Sequence, residues 1–371
     1  MRTPPRSIYP RARGPEPALV SLLVLLLAGQ AAAAPPRQRG VALGLFAEDP
    51  GFSYEPLLRE IKAAGASHVS VIVPYYQHSL RSVRIAPHPR FSPTDAVVER
   101  VLERARALGL EVLLFPILRL EYTVTPQEWR GSIRPRDPEA WWESYRAFIL
   151  KFARLARAHR ATLLCVGSEL GSMDTDPTPW APLLREVRAI YPGKLVYSAN
   201  WDHYDKVRLW NLVDLAGLSA YYQLTGPQER PTLERLIHAW REVRVQISRW
   251  RVQIEPGDEG SADDPAGMPM IFTELGYHSQ QGTSAWPWDE SADRPVSLEE
   301  QRRAYRAFVR VWDGVPYLEG VYFWNWFGYG GPQSREYCPR GKPAAAEICR
   351  WFGATRCPTD RFGLPKREDL R

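Results

Sequence analysis

The sequence predicts a single (β/α)8 barrel. Three observations carry that expectation: short apolar runs alternate with amphipathic stretches from residue 41 almost to the end, about eight such units can be counted, and the runs do not interleave apolar with polar residues. Strands covered on both faces by crossover helices are apolar throughout, which is how ValSerValIleVal (69–73) and ValLeuLeuPhe (112–115) read. Residues 35–371 suit one such barrel with insertions. A doubly wound open sheet is the competing architecture, but its Gly-rich dinucleotide turn is missing, because AlaGluAspProGly (47–51) follows the first run.

Active sites of such barrels form at the C-terminal strand ends, so each run is read with the polar residues that follow it. The first, 41–47, ends at Glu48 and leads to a helical stretch at 54–64. The second, 68–74, runs into Tyr75, Tyr76, Gln77 and His78 before a helix at 93–108. The third, 111–118, ends at Arg119 and Glu121, ahead of a long helix at 138–159. The fourth, 162–167, closes with Gly167, Ser168 and Glu169, and a helix at 179–190 returns the chain. The fifth, 195–199, ends in Asn200, Trp201 and Asp202, and only its link to the next strand shows no clear helix. The sixth, 215–220, ends in Tyr221 and Tyr222 before a helix at 233–254. A polar stretch at 256–265 reads as a surface loop entering the seventh run, 270–273, which ends in Thr273 and Glu274. The helix at 298–312 leads to the eighth, 320–324, with Trp324, Asn325 and Trp326 at its end, and a last helix covers 344–352.

Two carboxylates, Glu169 and Glu274, thus top the fourth and seventh strands across one barrel mouth. Glycoside hydrolysis needs such a pair: one carboxyl protonates the leaving oxygen, and a second about 5–5.5 Å away attacks the anomeric carbon, whereas roughly 6.5–9.5 Å leaves room for water and inversion. Either glutamate alone could be a helix cap or an ion-pair partner; their matched placement amid aromatics favours the pair. Sugar rings present C–H faces that pack on flat side chains, and Trp201, Tyr222, Trp324 and Trp326 fall at strand ends, although a barrel aromatic can equally be core. His78, Gln77, Arg119 and Glu121 either line further sugar sites or are solvated loop residues. The loop Gly328-Tyr329-Gly330-Gly331 admits a phosphate site, but a plain turn explains its glycines equally well.

At the N-terminus, Arg2, Arg6, Arg11 and Arg13 precede an apolar run at 18–27 and a small-residue stretch at 29–34, the order of a secretory signal occupying residues 1–34. The apolar run is shorter than the roughly 20 residues that cross a bilayer, so a secreted or periplasmic protein without stable membrane insertion is expected. Removing the leader takes away four arginines and one glutamate, and the formal charge falls from +6 to +3. No basic stripe interleaved with aromatics remains, which argues against a nucleic-acid partner. Of four cysteines, Cys165 sits in an apolar run as a buried thiol. Cys338, Cys349 and Cys357 cluster near the end, where a Cys349–Cys357 disulfide would staple the tail to the last helix. Neither a CxxC pair nor an HxH motif is present, so no metal or other cofactor is expected.

CysValGlySerGluLeu (165–170), IlePheThrGluLeuGlyTyr (271–277) and GlyValTyrPheTrpAsnTrp (320–326) resemble the strand-end motifs of the clan A retaining glycoside hydrolases, and most of all glycoside hydrolase family 113, the β-mannanase-type barrels. The resemblance spans nearly all of residues 35–371. It implies Glu169 as acid/base, Glu274 as nucleophile, Tyr222 (or alternatively Tyr221) orienting the nucleophile, and Trp324 under the reacting sugar. Many members of the clan place Asn before the acid/base to contact the sugar 2-hydroxyl. Here that position is Ser168, so Asn200 or a water takes over the contact, or the 2-position is read differently. The implied activity is hydrolysis of β-linked oligo- or polysaccharide, β-1,4-mannan among them, by a monomer. A catalytically inactive, glycan-binding barrel of the cell envelope is the alternative.

Overall fold

The computed structural model describes residues 37–125, 127–254, 267–289, 293–355 and 357–358. The expected leader (1–34) and the expected loop at 256–265 lie outside the described residues. Strands β1 (Gln38–Gly44), β2 (His68–Gln77), β3 (Glu111–Leu120), β4 (Leu163–Ser168), β5 (Lys194–Asn200), β6 (Leu215–Ser219), β7 (Met270–Leu275) and β8 (Leu318–Phe323) each pair in parallel with their successor, and β8 closes on β1. Helices α1 (Glu55–Ala63), α2 (Asp95–Ala107), α3 (Pro138–Ala158), α4 (Trp180–Ile190), α5 (Leu233–Arg251), α6 (Leu298–Trp312) and α7 (Pro343–Trp351) form the outer ring. The expected barrel is therefore the observed fold, and the open sheet is excluded by closure. β5 and β6 are joined by a loop with one 3₁₀ turn, Trp210–Leu212, which leaves that segment free to build part of the rim.

Strand ends differ from the sequence expectation by up to three residues. The reach of β2 is the instructive case: it runs through Pro74 to Gln77, in register with β3 over ten positions. A proline costs one ladder donor, but neighbouring pairs on both sides hold the strand together. Inside the barrel, Ile72, Phe115, Leu163, Cys165, Val196, Ile271 and Tyr322 pack into one apolar column. A second, larger layer lies between strands and helices, and Trp141, Trp180, Trp240 and Trp312 are fully buried there. Much of the tryptophan content thus fills the shell between sheet and helices. Thr94, Asp137 and Thr232 cap α2, α3 and α5 by accepting from Val97, Ala140 and Arg235 backbone N–H groups, each stabilising its helix by roughly 1 kcal/mol.

A long-range network on Glu60 ties the start of the barrel to its end. Glu60 on α1 accepts from Arg340 at 2.5 and 2.7 Å and from the Trp326 indole at 2.9 Å, all three side chains buried. The expected Cys349–Cys357 disulfide is present, and Cys165 and Cys338 are buried free thiols. Among the described residues no helix is long and apolar enough to cross a membrane.

Candidate active site

The end of β4 is shaped by a glycine. A Cβ at Gly167 would lie 2.7 Å from the Tyr197 ring and 2.9 Å from Trp180, so only glycine fits, and the β4–β5 register shifts between Cys165 and Gly167. Two residues on, Glu169 has φ 54°, a left-handed conformation that is uncommon outside glycine. It is held there by its own N–H on the Ser198 carbonyl at 2.7 Å and by the Leu170 N–H on the Tyr197 hydroxyl at 3.1 Å. The Glu169 side chain accepts from the Ser219 hydroxyl at Oε1 and from the Arg130 guanidinium at Oε2, and the residue is 5 % exposed. Arg130 comes from a single 3₁₀ turn, Arg130–Ser132, in the loop between β3 and α3.

Glu274 sits within β7 and is 2 % exposed. Tyr221, just past β6, donates its hydroxyl to Glu274 Oε2 at 3.0 Å. Gly276 lets β8 come close, since a Cβ there would lie 2.6 Å from the Trp324 carbonyl. Trp324 packs with Tyr221 and Tyr337 in the apolar mouth of the barrel and lies 6.3 Å from the Phe46 ring. Ser219 adjoins both glutamates. Its hydroxyl binds Glu169 while its backbone stands opposite Glu274 in the β6–β7 ladder. Cys165, on the inner face of β4, also feels Glu274: burial first, and this negative charge in addition, push its thiol well above the usual range. A thiol so held is inert.

The structure corrects several sequence-derived positions. Tyr222 is buried between Trp201 and Trp240 with its hydroxyl unpartnered among the described residues; the tyrosine on Glu274 is Tyr221. Trp326 is turned away from the mouth by its indole bond to Glu60 and is buried in the outer core. Gln77 is likewise buried, accepting from the Trp141 indole. His78, its side chain 72 % exposed, bonds Glu121 and stacks on Tyr122 at the outer rim. Asn200 and Trp201 do reach the mouth: Asn200 Oδ1 lies 3.4 Å from the Ser219 hydroxyl, and Trp201 stacks on Trp288 at 5.5 Å. Ser168 is buried, and its hydroxyl has no partner among the described residues. At the glycine-rich loop the Gly331 N–H is bonded to the Arg340 carbonyl, and a Cβ at Gly330 would lie 2.5 Å from that same carbonyl, so these glycines serve a tight turn.

Arg130 and Ser219 were not singled out by sequence, since neither directly ends an apolar run. A cleft of about 350 Å³ opens beside Glu169, and Trp129, Ser132, Asn200, Asp202, His203 and Lys206 are among its walls. Among the described residues no group of three His, Cys, Asp or Glu side chains is placed to hold a metal ion.

Comparison with known proteins agrees with this layout. The family model Glycoside Hydrolase Family 113 matches residues 53–339. No curated protein matches the sequence. A solved β-mannanase of that family from Alicyclobacillus acidocaldarius is 25% identical, with a TM-score of 0.71 over 87% of this chain and 99% of its own. A second solved structure, a family 113 β-1,4-mannanase, is 19% identical with the same TM-score, over 86% of this chain and 100% of its own. A β-D-glucuronidase from Dictyoglomus thermophilum shares the fold at a TM-score of 0.59 and 13% identity, over 87% of this chain and 51% of that one. With more than half of its length matched by the family model, on a closed eight-stranded barrel, the chain belongs to glycoside hydrolase family 113.

Proposed function

We propose that this glycoside hydrolase cleaves β-linked mannan-type poly- or oligosaccharide with retention, by double displacement between Glu274 and Glu169. The observation that supports the reading is the placement of both glutamates at strand ends of one barrel mouth, Glu169 accepting the Ser219 hydroxyl and Glu274 standing opposite the Ser219 backbone. In the first step the Glu274 carboxylate attacks the anomeric carbon, the glycosidic C–O bond breaks, and the leaving oxygen takes a proton from Glu169. In the second, Glu169 removes a proton from water, the water oxygen attacks the same carbon, and Glu274 departs as carboxylate. Tyr221 positions Glu274. Trp324 offers its face to the reacting sugar, and Asn200, adjacent to Ser219, supplies the polar contact that the short Ser168 side chain does not reach. The kinship with solved β-mannanases supports mannan as substrate. The basic, apolar and small-residue order of residues 1–34 and the Cys349–Cys357 disulfide support export to an oxidising compartment.

The decisive test is Glu274→Ala. Hydrolysis of mannan should fall on the order of 10⁴-fold or more with the fold intact, and added azide should restore turnover with an α-glycosyl azide as product. Full activity in that variant ends the proposal. The alternative is an inactive, glycan-binding barrel, in which Glu169 serves only as the ion-pair partner of Arg130. On the hydrolytic reading the glycosidic oxygen displaces Arg130 as substrate enters. Calorimetric titration with manno-oligosaccharides beside reducing-sugar release separates the two, since binding without turnover marks the inactive barrel.

A further inference from the structure

The cleft beside Glu169 holds a second constellation that the double-displacement chemistry does not use. Asp174, in the loop after β4, has 0 % exposure, and both of its carboxylate oxygens are engaged. Oδ2 accepts from the Tyr197 hydroxyl at 2.6 Å, and Oδ1 lies 2.9 Å from His203 Nε2. His203 belongs to the loop after β5, so the pair bridges the two loops that wall the cleft. Burial raises the Asp174 carboxyl above its ordinary range, and its bonds to Tyr197 and His203 pull it back. A fully buried carboxyl is costly unless its bonds are satisfied, and here they serve to set one imidazole in one orientation.

That orientation matters because of where the ring lies. With Nε2 engaged by Asp174, the second ring nitrogen, Nδ1, is left for a ligand, and the His203 side chain is partly exposed on the cleft wall it shares with Glu169. A general acid protonates the oxygen that leaves, so the sugar carrying that oxygen must sit in the space beside Glu169. Trp129, 39 % exposed on the same cleft, offers a flat face for such a ring.

Resting on the hydrolytic reading above, we propose that His203, held by the positioning residue Asp174, binds a hydroxyl of the sugar on the leaving-group side. The test is steady-state kinetics of the full chain on two substrates, β-1,4-mannotetraose and 2,4-dinitrophenyl β-mannobioside, whose leaving group is not a sugar and departs without protonation. His203→Ala should lower kcat/KM on the tetraose about tenfold, mainly through KM, the size of one lost hydrogen bond. The dinitrophenyl substrate should stay within about twofold of the parent value. Asp174→Asn should show the same selective loss at smaller size, and His203→Asn, which keeps an acceptor, should recover part of it. Equal losses on both substrates, or a tetraose KM unchanged in His203→Ala, overturn the inference while leaving the glycosidase reading standing. A parent chain inert on both substrates overturns the hydrolytic reading, and this inference with it.

Discussion

The wall of the barrel made by β4 and β5 and the wall made by β7 and β8 present one glutamate each in different settings. On the first, Glu169 sits at a left-handed backbone position beside an open polar cleft and is held by a cation and a hydroxyl. On the second, Glu274 lies within β7 beside a register shift in the ladder, is buried, and accepts from the Tyr221 hydroxyl. The cleft includes Glu169 but not Glu274 or Trp324. On the proposed double displacement the contrast amounts to a division of labour: the polar wall faces leaving groups and water, and the aromatic wall faces the sugar itself.

The largest effect that would break this comparison comes from Glu169→Ala. If the polar wall handles leaving groups, kcat/KM on mannotetraose should fall by about 10³ while formation of the glycosyl-enzyme from a dinitrophenyl glycoside, read as a burst of dinitrophenol, survives. Equal losses on both substrates would erase the distinction between the walls. Next in size is Tyr221→Phe, which removes the hydroxyl on Glu274 and should lower kcat about tenfold with little change in KM. Tyr222→Phe is its control: that hydroxyl has no partner among the described residues, so activity and melting temperature should both hold.

The smallest effects concern pH and should have opposite signs on the two walls. His278, beyond β7, is buried on the Trp286 carbonyl, and burial holds its imidazole below the usual value of 6.5. The fold favours the neutral ring, so this contribution to stability is present above pH 6.5 and is lost as pH falls below it. Asp174 is shifted the other way, above 3.8, so its burial weighs on the fold increasingly as pH rises through its folded value. Thermal unfolding from pH 4 to 8 should therefore flatten on the acid side in His278→Gln and change slope in the opposite sense in Asp174→Asn; slopes of the same sign would contradict the assignment.

Glu169 and Glu274 were legible because each directly follows an apolar run, and strand ends are where a parallel barrel exposes its side chains. Distinguishing Tyr221 from Tyr222 was not possible from order alone. A strand sends neighbouring side chains to opposite faces, and which face a residue takes just past β6 depends on the local register shift between Leu218 and Ser219. Trp326 misled for the same reason, since its distance from the end of β8 carries no information about Glu60, 266 residues earlier. Arg130 left no trace in the pattern: it lies in an irregular loop, and only the tertiary path brings it to Glu169.

The buried ion pair of Glu60 with Arg340 ties the first helix to a segment near the far end of the chain. During synthesis, a ribosome releases α1 long before residue 340 emerges, so the nascent barrel carries an acidic group with no counter-charge until translation is almost finished. Leaving such a charge unpaired in a closed core costs about 3–5 kcal/mol. Partial chains ending before Arg340 should consequently stay open and be prone to chaperone capture, and the finished protein should gain its protease resistance in one late step.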